Sequence, residues 1–413
     1  MAFAPRRRAR RLWGYWRAEQ RTLRQGLVAL LLSSAAAFVA GITLGSITGT
    51  LQRLPGLFIL IPASVAMRGT IFGAMGARLG TSTHAGLFVV TRARAGVLYQ
   101  NVFVAVILTI TASVYLAALA KGSAVAFGLA SIRLLDLVAI SVTSAVLSST
   151  LLLGFTLLLS ILSYRRGYDL DAVATPLITA AGDMVSLPLL FLASFLTEVR
   201  WLSTSIGVLS LVAAVIALLR AATTDLRLAR RVLAESIPVV LLTPVLDILA
   251  GTVVEARLDR FAALPGLLVL IPPLVSNAGA LGGILSSRLT SKLQLGVITA
   301  RGRPEAPAFL DASLVVGFAL VIFPLIGALG FGFSALAGQA HPGAGVMVAA
   351  ALLSGILATA GAIVVAYYMA VLSTRFGLDP DNHGVPVITS SMDLAGVAAF
   401  LAVLPLLGVA VHG

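Results

Sequence analysis

Long runs of apolar residues, separated by short polar segments, dominate the pattern of this chain. A helix that crosses a bilayer needs about 20 consecutive, mostly apolar residues. Eleven runs meet that requirement, at 26–48, 56–78, 98–120, 133–163, 172–197, 202–220, 237–254, 266–287, 308–332, 345–372 and 384–411. The pattern therefore predicts an all-α polytopic membrane protein with about eleven transmembrane helices.

The composition excludes a water-soluble protein. Of the 413 residues, 59% are hydrophobic and only 11% are charged, whereas a soluble domain carries roughly 25% charged residues. The formal net charge of +13 comes from basic residues between apolar runs. This distribution is typical of the basic loops that orient a membrane protein, and not of a nucleic-acid-binding surface. The chain contains no cysteine, so disulfides and thiolate metal sites are excluded.

The positions of Lys and Arg predict the orientation in the membrane. If the N-terminus is cytoplasmic, 22 of the 29 basic residues lie in cytoplasmic segments, six lie outside, and Arg68 lies within a span. Basic residues concentrate on the cytoplasmic side of membrane proteins. We therefore expect a multi-pass protein of the cell (cytoplasmic) membrane with an external C-terminus, in which residues 1–25 form a basic cytoplasmic arm.

An internal repeat runs through the whole chain. Leu54-Pro55-Gly56-Leu57 recurs as Leu264-Pro265-Gly266-Leu267, a shift of 210 residues. The same gapless shift relates further pairs, among them Gly69 and Gly279, Gly73 and Gly283, Asp169 and Asp379, Asp171 and Asp381, and Asp183 and Asp393. A register that holds over more than a hundred residues indicates a duplicated unit of five spans.

The duplication also explains the odd number of spans. Repeat 1 covers 26–198 and repeat 2 covers 237–413, while the linker 199–236 contains one extra crossing helix. Five spans leave the chain on the opposite side of the membrane, so a second copy in the same orientation needs one more crossing. The sequence therefore predicts two parallel five-helix repeats, related by a pseudo-twofold axis along the membrane normal.

The fifth span of each repeat carries an aspartate near the middle of the bilayer. Asp183 lies about 17 Å into its helix at 1.5 Å per residue, and Asp393 lies at the same depth. A carboxylate facing lipid at this depth costs at least ~2.5–3.5 kcal/mol, so both should face protein or water. Thr179 and Thr389, one turn earlier, lie on the same helix face, and Thr175 extends that face in repeat 1.

Two facing carboxylates favour a divalent cation between them. Oxygen ligands suit hard cations, chiefly Mg²⁺, and Mg²⁺ retains most of its water. We therefore predict Asp183, Asp393, Thr179 and Thr389 as the metal site, with Mg²⁺ as the transported ion and no organic cofactor. The alternative is that each aspartate only hydrogen-bonds within its own bundle.

Other polar and small residues have two interpretations each. Closely spaced glycines in the second spans favour tight helix packing, or a conduit lined by backbone carbonyls. Arg68 either reaches the interface or an acid, or acts as a tethered cation that competes with permeant ions. Four acids at the entrances of the fifth spans either cap these helices or attract cations: Asp169, Asp171, Asp379 and Asp381.

These motifs resemble those of the MgtE-type magnesium channels and transporters, and most closely their single-chain, duplicated relatives among the solute carriers. The resemblance rests on LPGLFILIPASVAMRGTIFGAMGARLGTSTHAG, on LPGLLVLIPPLVSNAGALGGILSSRLTSKLQLG and on both D-x-D…P-x-I-T…D segments. It implies that the second and fifth helices line a central pore in which Asp183 and Asp393 bind the ion. The second helices then contribute pore candidates Arg68, Gly69, Asn277 and Gly279.

The sequence departs from this family in two respects. Relatives usually carry Gly-Asn in the second helix, where this chain has Gly69-Thr70 and Gly279-Ala280. The cytoplasmic N-terminal and CBS domains of bacterial MgtE have no counterpart in the residues before the first span, so we do not expect gating by those domains.

The predicted function is channel-like transport of a divalent cation, driven by the ion gradient and the membrane potential. The predicted partners are the lipid bilayer and divalent cations, and one chain, which contains both halves of the seam, should be functional as a monomer. An exchanger or exporter coupled to Na⁺ or H⁺ is the alternative. An intramembrane aspartyl protease also needs two membrane aspartates, but its G-x-G-D motif is absent, so we predict no enzymatic activity.

Overall fold

The computed structural model describes residues 14–84, 91, 93–94, 96–166, 170–377 and 383–409. We number its helices as follows: α1 (Gln20–Ser46), α2 (Thr48–Arg53), α3 (Leu57–His84), α4 (Val97–Ala126), α5 (Leu134–Arg166), α6 (Leu170–Ser194), α7 (Arg200–Ala222), α8 (Arg227–Glu255), α9 (Leu258–Ala263), α10 (Pro265–Gln294), α11 (Ala306–Leu336), α12 (Ala344–Phe376) and α13 (Val385–Val403). Short 3₁₀ turns follow α6 at Phe195–Glu198 and α13 at Leu404–Leu407.

The predicted all-helical membrane architecture is confirmed. Within the described residues, eleven helices are long and apolar enough to cross a membrane. The largest difference from the predicted boundaries is at α8, which begins at Arg227 and not near residue 237. Its first turns are polar and contain an Arg231–Glu235 ion pair at spacing i,i+4, which suits a helix in water. Hydropathy therefore detects only the apolar part of this helix.

The duplication is visible in the backbone. The short helices α2 and α9, which the hydropathy pattern did not predict, occupy positions 48–53 and 258–263. Gly128 and Gly338 both follow the third helix of a repeat, with left-handed φ angles of 67° and 64°. Both pairs obey the shift of 210 residues, so the repeat holds in the loops as well as in the spans.

The chain divides into two compact units that differ from the sequence repeats. Unit A comprises Ala36–Val269, and unit B comprises residues up to Ala35 together with those from Leu270 onward. Helix α8, which begins repeat 2 in the sequence, therefore belongs to unit A. There the Tyr115 hydroxyl donates to the Leu241 carbonyl at 2.8 Å, and the hydroxyls of Ser123 and Thr252 lie 2.7 Å apart.

The end of α8 also fixes the start of α3 within unit A. The Glu255 carboxylate accepts the backbone N–H of Gly56 at 2.6 Å and that of Phe58 at 3.2 Å. The first N–H groups of a helix have no partner within the helix, so a carboxylate there stabilises it. Gly56 adopts φ of 83°, a left-handed conformation that favours glycine. Helix α3 then continues without interruption through Pro62.

A cluster of charged side chains connects the N-terminal residues to α10 and α11 in unit B. Asp311 accepts from Arg288 Nε at 2.8 Å and from the Tyr15 hydroxyl at 2.6 Å, and Lys292 Nζ lies 2.6 Å from its other oxygen. Arg288 also pairs with Glu19 at 3.1 Å. Burial of the phenol, and then the Asp311 carboxylate, raise the pKa of Tyr15. This cluster anchors the segment before α1 to unit B.

Candidate functional site

In unit A, the second and fifth helices of repeat 1 pack closely along a row of glycines. A Cβ atom placed on Gly69 of α3 would lie 3.2 Å from Thr179 Cγ2 of α6, and one on Gly76 would lie 2.5 Å from Ile178 Cδ1. One on Gly182 of α6 would lie 3.7 Å from the backbone nitrogen of Gly69. The glycines of α3 thus bring its backbone against the helix face that carries Thr179.

Unit B contains a similar arrangement, with its second glycine one helical turn earlier than in unit A. A Cβ on Gly279 of α10 would lie 3.1 Å from Thr389 Cγ2 of α13, and one on Gly282 would lie 2.5 Å from Ile388 Cγ2. Of the two interpretations of these glycines, the structure therefore shows close packing. In each unit it brings a predicted glycine together with the predicted threonine.

The two predicted aspartates lie one turn after these threonines. Asp183 and Asp393 are half-buried, whereas their neighbours Gly182 and Met392 are buried. The Thr389 hydroxyl donates to the carbonyls of Val385 and Pro386, at 3.1 and 2.9 Å. Because its proton is used within the helix, the Thr389 oxygen can act as an acceptor. Each fifth helix thus carries a carboxylate one turn after a threonine.

Asn277, a predicted pore residue of α10, joins two helices within unit B. It is fully buried, and its amide nitrogen donates to the Ser34 hydroxyl of α1 at 2.9 Å and to the Pro273 carbonyl at 2.8 Å. These bonds indicate an anchor between α1 and α10. The 210-residue shift places Met67 at this position in repeat 1.

Arg68 adopts neither of the ordinary arrangements considered for it. Its side chain does not reach an interface, since the residue is only 1% exposed. Its Nη2 atom approaches the Ser113 hydroxyl of α4 at 3.4 Å, and Nη1 is buried with no hydrogen-bond acceptor among the described residues. A fully buried cation therefore lies within unit A.

Several predicted entrance residues cannot be placed. Asp169, Asp379 and Asp381 lie outside the described residues, as do the side chains of Asp171 and Thr175. Within the described part of the chain, no group of three or more His, Asp or Glu side chains is arranged to hold a metal ion.

A cavity of about 410 Å³ lies on another face of α6 in unit A. Its walls are almost entirely apolar and include Ala180, Met184 and Val185 of α6, but not Asp183. Apolar walls offer no oxygen ligands to a hard cation. This cavity is therefore separate from Thr179, which lies on the face of α6 that meets α3.

The sequence analysis did not identify Ser113, the hydrogen-bond partner of Arg68. A usable signal was present, because the 210-residue shift pairs Arg68 with Ala278 and Ser113 with Phe323. Both members of a contacting polar pair are thus replaced by apolar residues in the other repeat. Glu255, at the end of α8, also accepts two backbone hydrogen bonds that the sequence did not predict.

Comparison with known families agrees with this architecture. The family model for MgtE, described as a divalent cation transporter, matches residues 61–193 and again residues 271–403. The chain belongs to the MgtE family. Both boundaries of the second match lie 210 residues after those of the first, so this family's domain occurs twice in one chain.

Two curated relatives match this chain over most of its length. The chain is 24% identical over 403 residues to solute carrier family 41 member 3 of Rattus norvegicus. This match covers 91% of this chain and 85% of the relative. It is 24% identical over 374 residues to the Mus musculus protein of the same name, covering 83% of this chain and 73% of that relative. No solved structure matches the chain.

Proposed function

We propose that this membrane protein transports a divalent cation, with Mg²⁺ as its substrate, through a channel-like pathway driven by the ion gradient and the membrane potential. Membership of a divalent cation transporter family supports the ion class. The observation that carries the proposal is the repeated contact of a second-helix glycine with a threonine one turn before an aspartate, Gly69 with Thr179 and Gly279 with Thr389.

The chemistry of these residues suits a hydrated cation. Water molecules bound to Mg²⁺ donate hydrogen bonds, so the protein must supply acceptors. Asp183 and Asp393 supply carboxylates, and Thr389 supplies a hydroxyl oxygen whose proton is already bonded. One carboxylate from each half leaves most ligand positions of the ion to water, which Mg²⁺ gives up reluctantly. The combined charge of −2 matches one divalent ion.

The duplication suggests that one chain is the functional unit. Both copies of the site occur within a single chain, so the pairing of Asp183 with Asp393 needs no second molecule. Reconstitution at well below one chain per vesicle tests this proposal. Uptake should then scale linearly with protein, whereas uptake that scales with the square of the protein concentration would indicate a required dimer.

The carboxylates are tested by removing their charge while keeping their shape. Asp183→Asn and Asp393→Asn should each reduce Mg²⁺ affinity about ten- to hundred-fold, by analogy with charge-assisted bonds of ~1.5–3 kcal/mol. The double variant should abolish Mg²⁺ uptake into proteoliposomes under an imposed potential. Asp225→Asn, which changes an exposed aspartate between α7 and α8, is the matched control and should transport normally.

Two results separate the alternatives. Undiminished uptake by the double variant at matched protein levels would show that these aspartates are structural and that the ion passes elsewhere. Uptake that requires an opposing Na⁺ or H⁺ gradient, and does not respond to the potential alone, would replace the channel-like mechanism with a coupled exchanger.

A further inference from the structure

We propose that the Arg68 guanidinium is a fixed positive charge that weakens divalent-cation binding at Asp183, and so makes the two halves of the transport pathway unequal. This role rests on the proposed function, because it assigns a regulator of affinity to the same site.

Arg68 remains charged and has no ionic partner among the residues that the structure describes. An arginine side chain does not lose its proton in proteins, and burying an isolated charge is costly unless another charge offsets it. Within the described residues no carboxylate forms an ion pair with Arg68, and its Nη1 atom has no acceptor. No described carboxylate therefore neutralises this positive charge at close range, and its field extends beyond the residues that it touches.

The contact between α3 and α6 brings the backbone of Asp183 near that of Arg68. A Cβ placed on Gly182 would be 3.7 Å from Arg68 Cβ. Because consecutive α-carbons are about 3.8 Å apart, the Asp183 α-carbon lies within about 9 Å of Arg68 Cβ. Both residues are in spans, where the low dielectric screens charge less than water does.

The equivalent region of unit B lacks this charge. Ala278 and Phe323 stand at the positions of Arg68 and Ser113, and both are fully buried. The Phe323 ring lies against Gly355, where a Cβ would come within 2.1 Å of the ring. Gly355 in turn replaces Ala145 of repeat 1. Three matched changes thus turn a polar, charged interior into a close-packed apolar one, and leave Asp393 without a neighbouring arginine at this position.

Repulsion from Arg68 should aid release of the ion. Rapid transport requires binding that is favourable enough for entry but weak enough for exit. The Coulomb energy scales with the charge of the bound ion, so a divalent cation feels twice the repulsion of a monovalent one. Loss of the Arg68 charge should therefore raise the affinity for both kinds of cation. The factor for a divalent cation should be about the square of the factor for a monovalent cation.

Three variants test this proposal. Arg68→Met removes the charge and keeps an unbranched side chain, whereas Arg68→Lys keeps the charge. The triple variant Arg68→Ala/Ser113→Phe/Ala145→Gly copies Ala278, Phe323 and Gly355, and so installs a packing that this protein already uses. The measurements are the half-saturating Mg²⁺ concentration for uptake into proteoliposomes, and the thermal stabilisation of detergent-solubilised protein by Mg²⁺.

The neutral variants should lower the half-saturating Mg²⁺ concentration about ten- to hundred-fold, and Arg68→Lys should change it by less than about threefold. Thermal stabilisation should saturate at correspondingly lower Mg²⁺. An unchanged half-saturating concentration in both Arg68→Met and the triple variant would overturn the proposal. If the Asp183→Asn/Asp393→Asn double variant still abolished uptake, that result would leave the proposed function intact and remove only the role of Arg68.

Discussion

Two glycines permit the closest backbone contacts of the first helices. A Cβ on Gly251 of α8 would lie 2.6 Å from the Ile59 carbonyl oxygen of α3, and a Cβ on Gly41 of α1 would lie 2.4 Å from the Val269 carbonyl oxygen of α10. The 210-residue shift relates Gly41 to Gly251 and Ile59 to Val269. The first helix of each repeat therefore packs against the second helix of the other repeat at a glycine.

Gly251→Ala and Gly41→Ala should each lower the free energy of unfolding by about 1–3 kcal/mol, the cost of overpacking a tight interior. The clash is with backbone oxygen, which cannot rotate away as a side chain can. Thermal unfolding in detergent measures the effect. Gly154→Ala of α5 is the control, because nothing lies within 4 Å of its added Cβ and alanine favours a helix by up to about 1 kcal/mol. Equal stability of all three variants would contradict the prediction.

Sequence patterns identified the glycines but not what each one contacts. The spacing of Gly69 and Gly73 predicted close approach of helices, and the structure confirms it for Gly69. The pattern could not show that the partner is Thr179, because a helix presents several faces and only tertiary packing selects one. For the same reason, the sequence could not show whether the Arg68 side chain is buried between helices or reaches the membrane interface.

At the scale of elements, the two repeats differ at the ends of their second helices. In unit A, Arg78 Nε donates to Asn101 Oδ1 at 2.9 Å. In unit B, the equivalent residues Arg288 and Asp311 form an ion pair at 2.8 Å, which Tyr15 and Lys292 join. A hydrogen bond from arginine to a neutral amide in one repeat is thus replaced by an ionic cluster in the other. That cluster holds α10, α11 and the N-terminal segment together.

Asp311→Asn, which copies Asn101, should reduce the free energy of unfolding by about 2–4 kcal/mol, somewhat less than for a fully buried pair. The Asp311 side chain is 0% exposed, but Arg288 and Lys292 are 19% and 22% exposed, so water partly compensates the two cations. Denaturation in detergent provides the measurement.

The control for Asp311→Asn is Glu235→Gln, which breaks the exposed Arg231–Glu235 pair of α8. A surface pair contributes about 0–1 kcal/mol, so this variant should be nearly as stable as the native chain. A loss in Asp311→Asn no larger than in Glu235→Gln would show that the cluster at Asp311 is not stabilising.

For the whole molecule, parallel repeats predict which loops share a side of the membrane. Phe127 and Ala337 are exposed residues at equivalent positions after α4 and α11, and both are expected outside. Asp225, in the linker, is expected inside. The chain has no cysteine, so Phe127→Cys, Ala337→Cys and Asp225→Cys can each be labelled singly with a membrane-impermeant thiol reagent.

Reagent added to intact cells should label the first two variants and leave the third unlabelled until the membrane is opened. Labelling of Phe127→Cys and Ala337→Cys from opposite sides would contradict parallel repeats. Labelling of all three variants from the inverse sides would preserve the repeats and reverse the orientation predicted from the basic residues.

The sequence by itself determined the membrane class, the eleven spans, the duplication and the chemical type of the candidate site. These properties depend on local hydropathy and on a 210-residue register, both of which can be read without knowing which helices touch. Tertiary structure alone decided that α8 packs in unit A, that Glu255 caps α3, and that Arg68 lies buried beside Ser113 and Gly182. Each of these results depends on contacts between segments that are distant in the sequence. Side chains of suitable chemistry occur on several faces of many helices, so only the tertiary packing determines which of them meet.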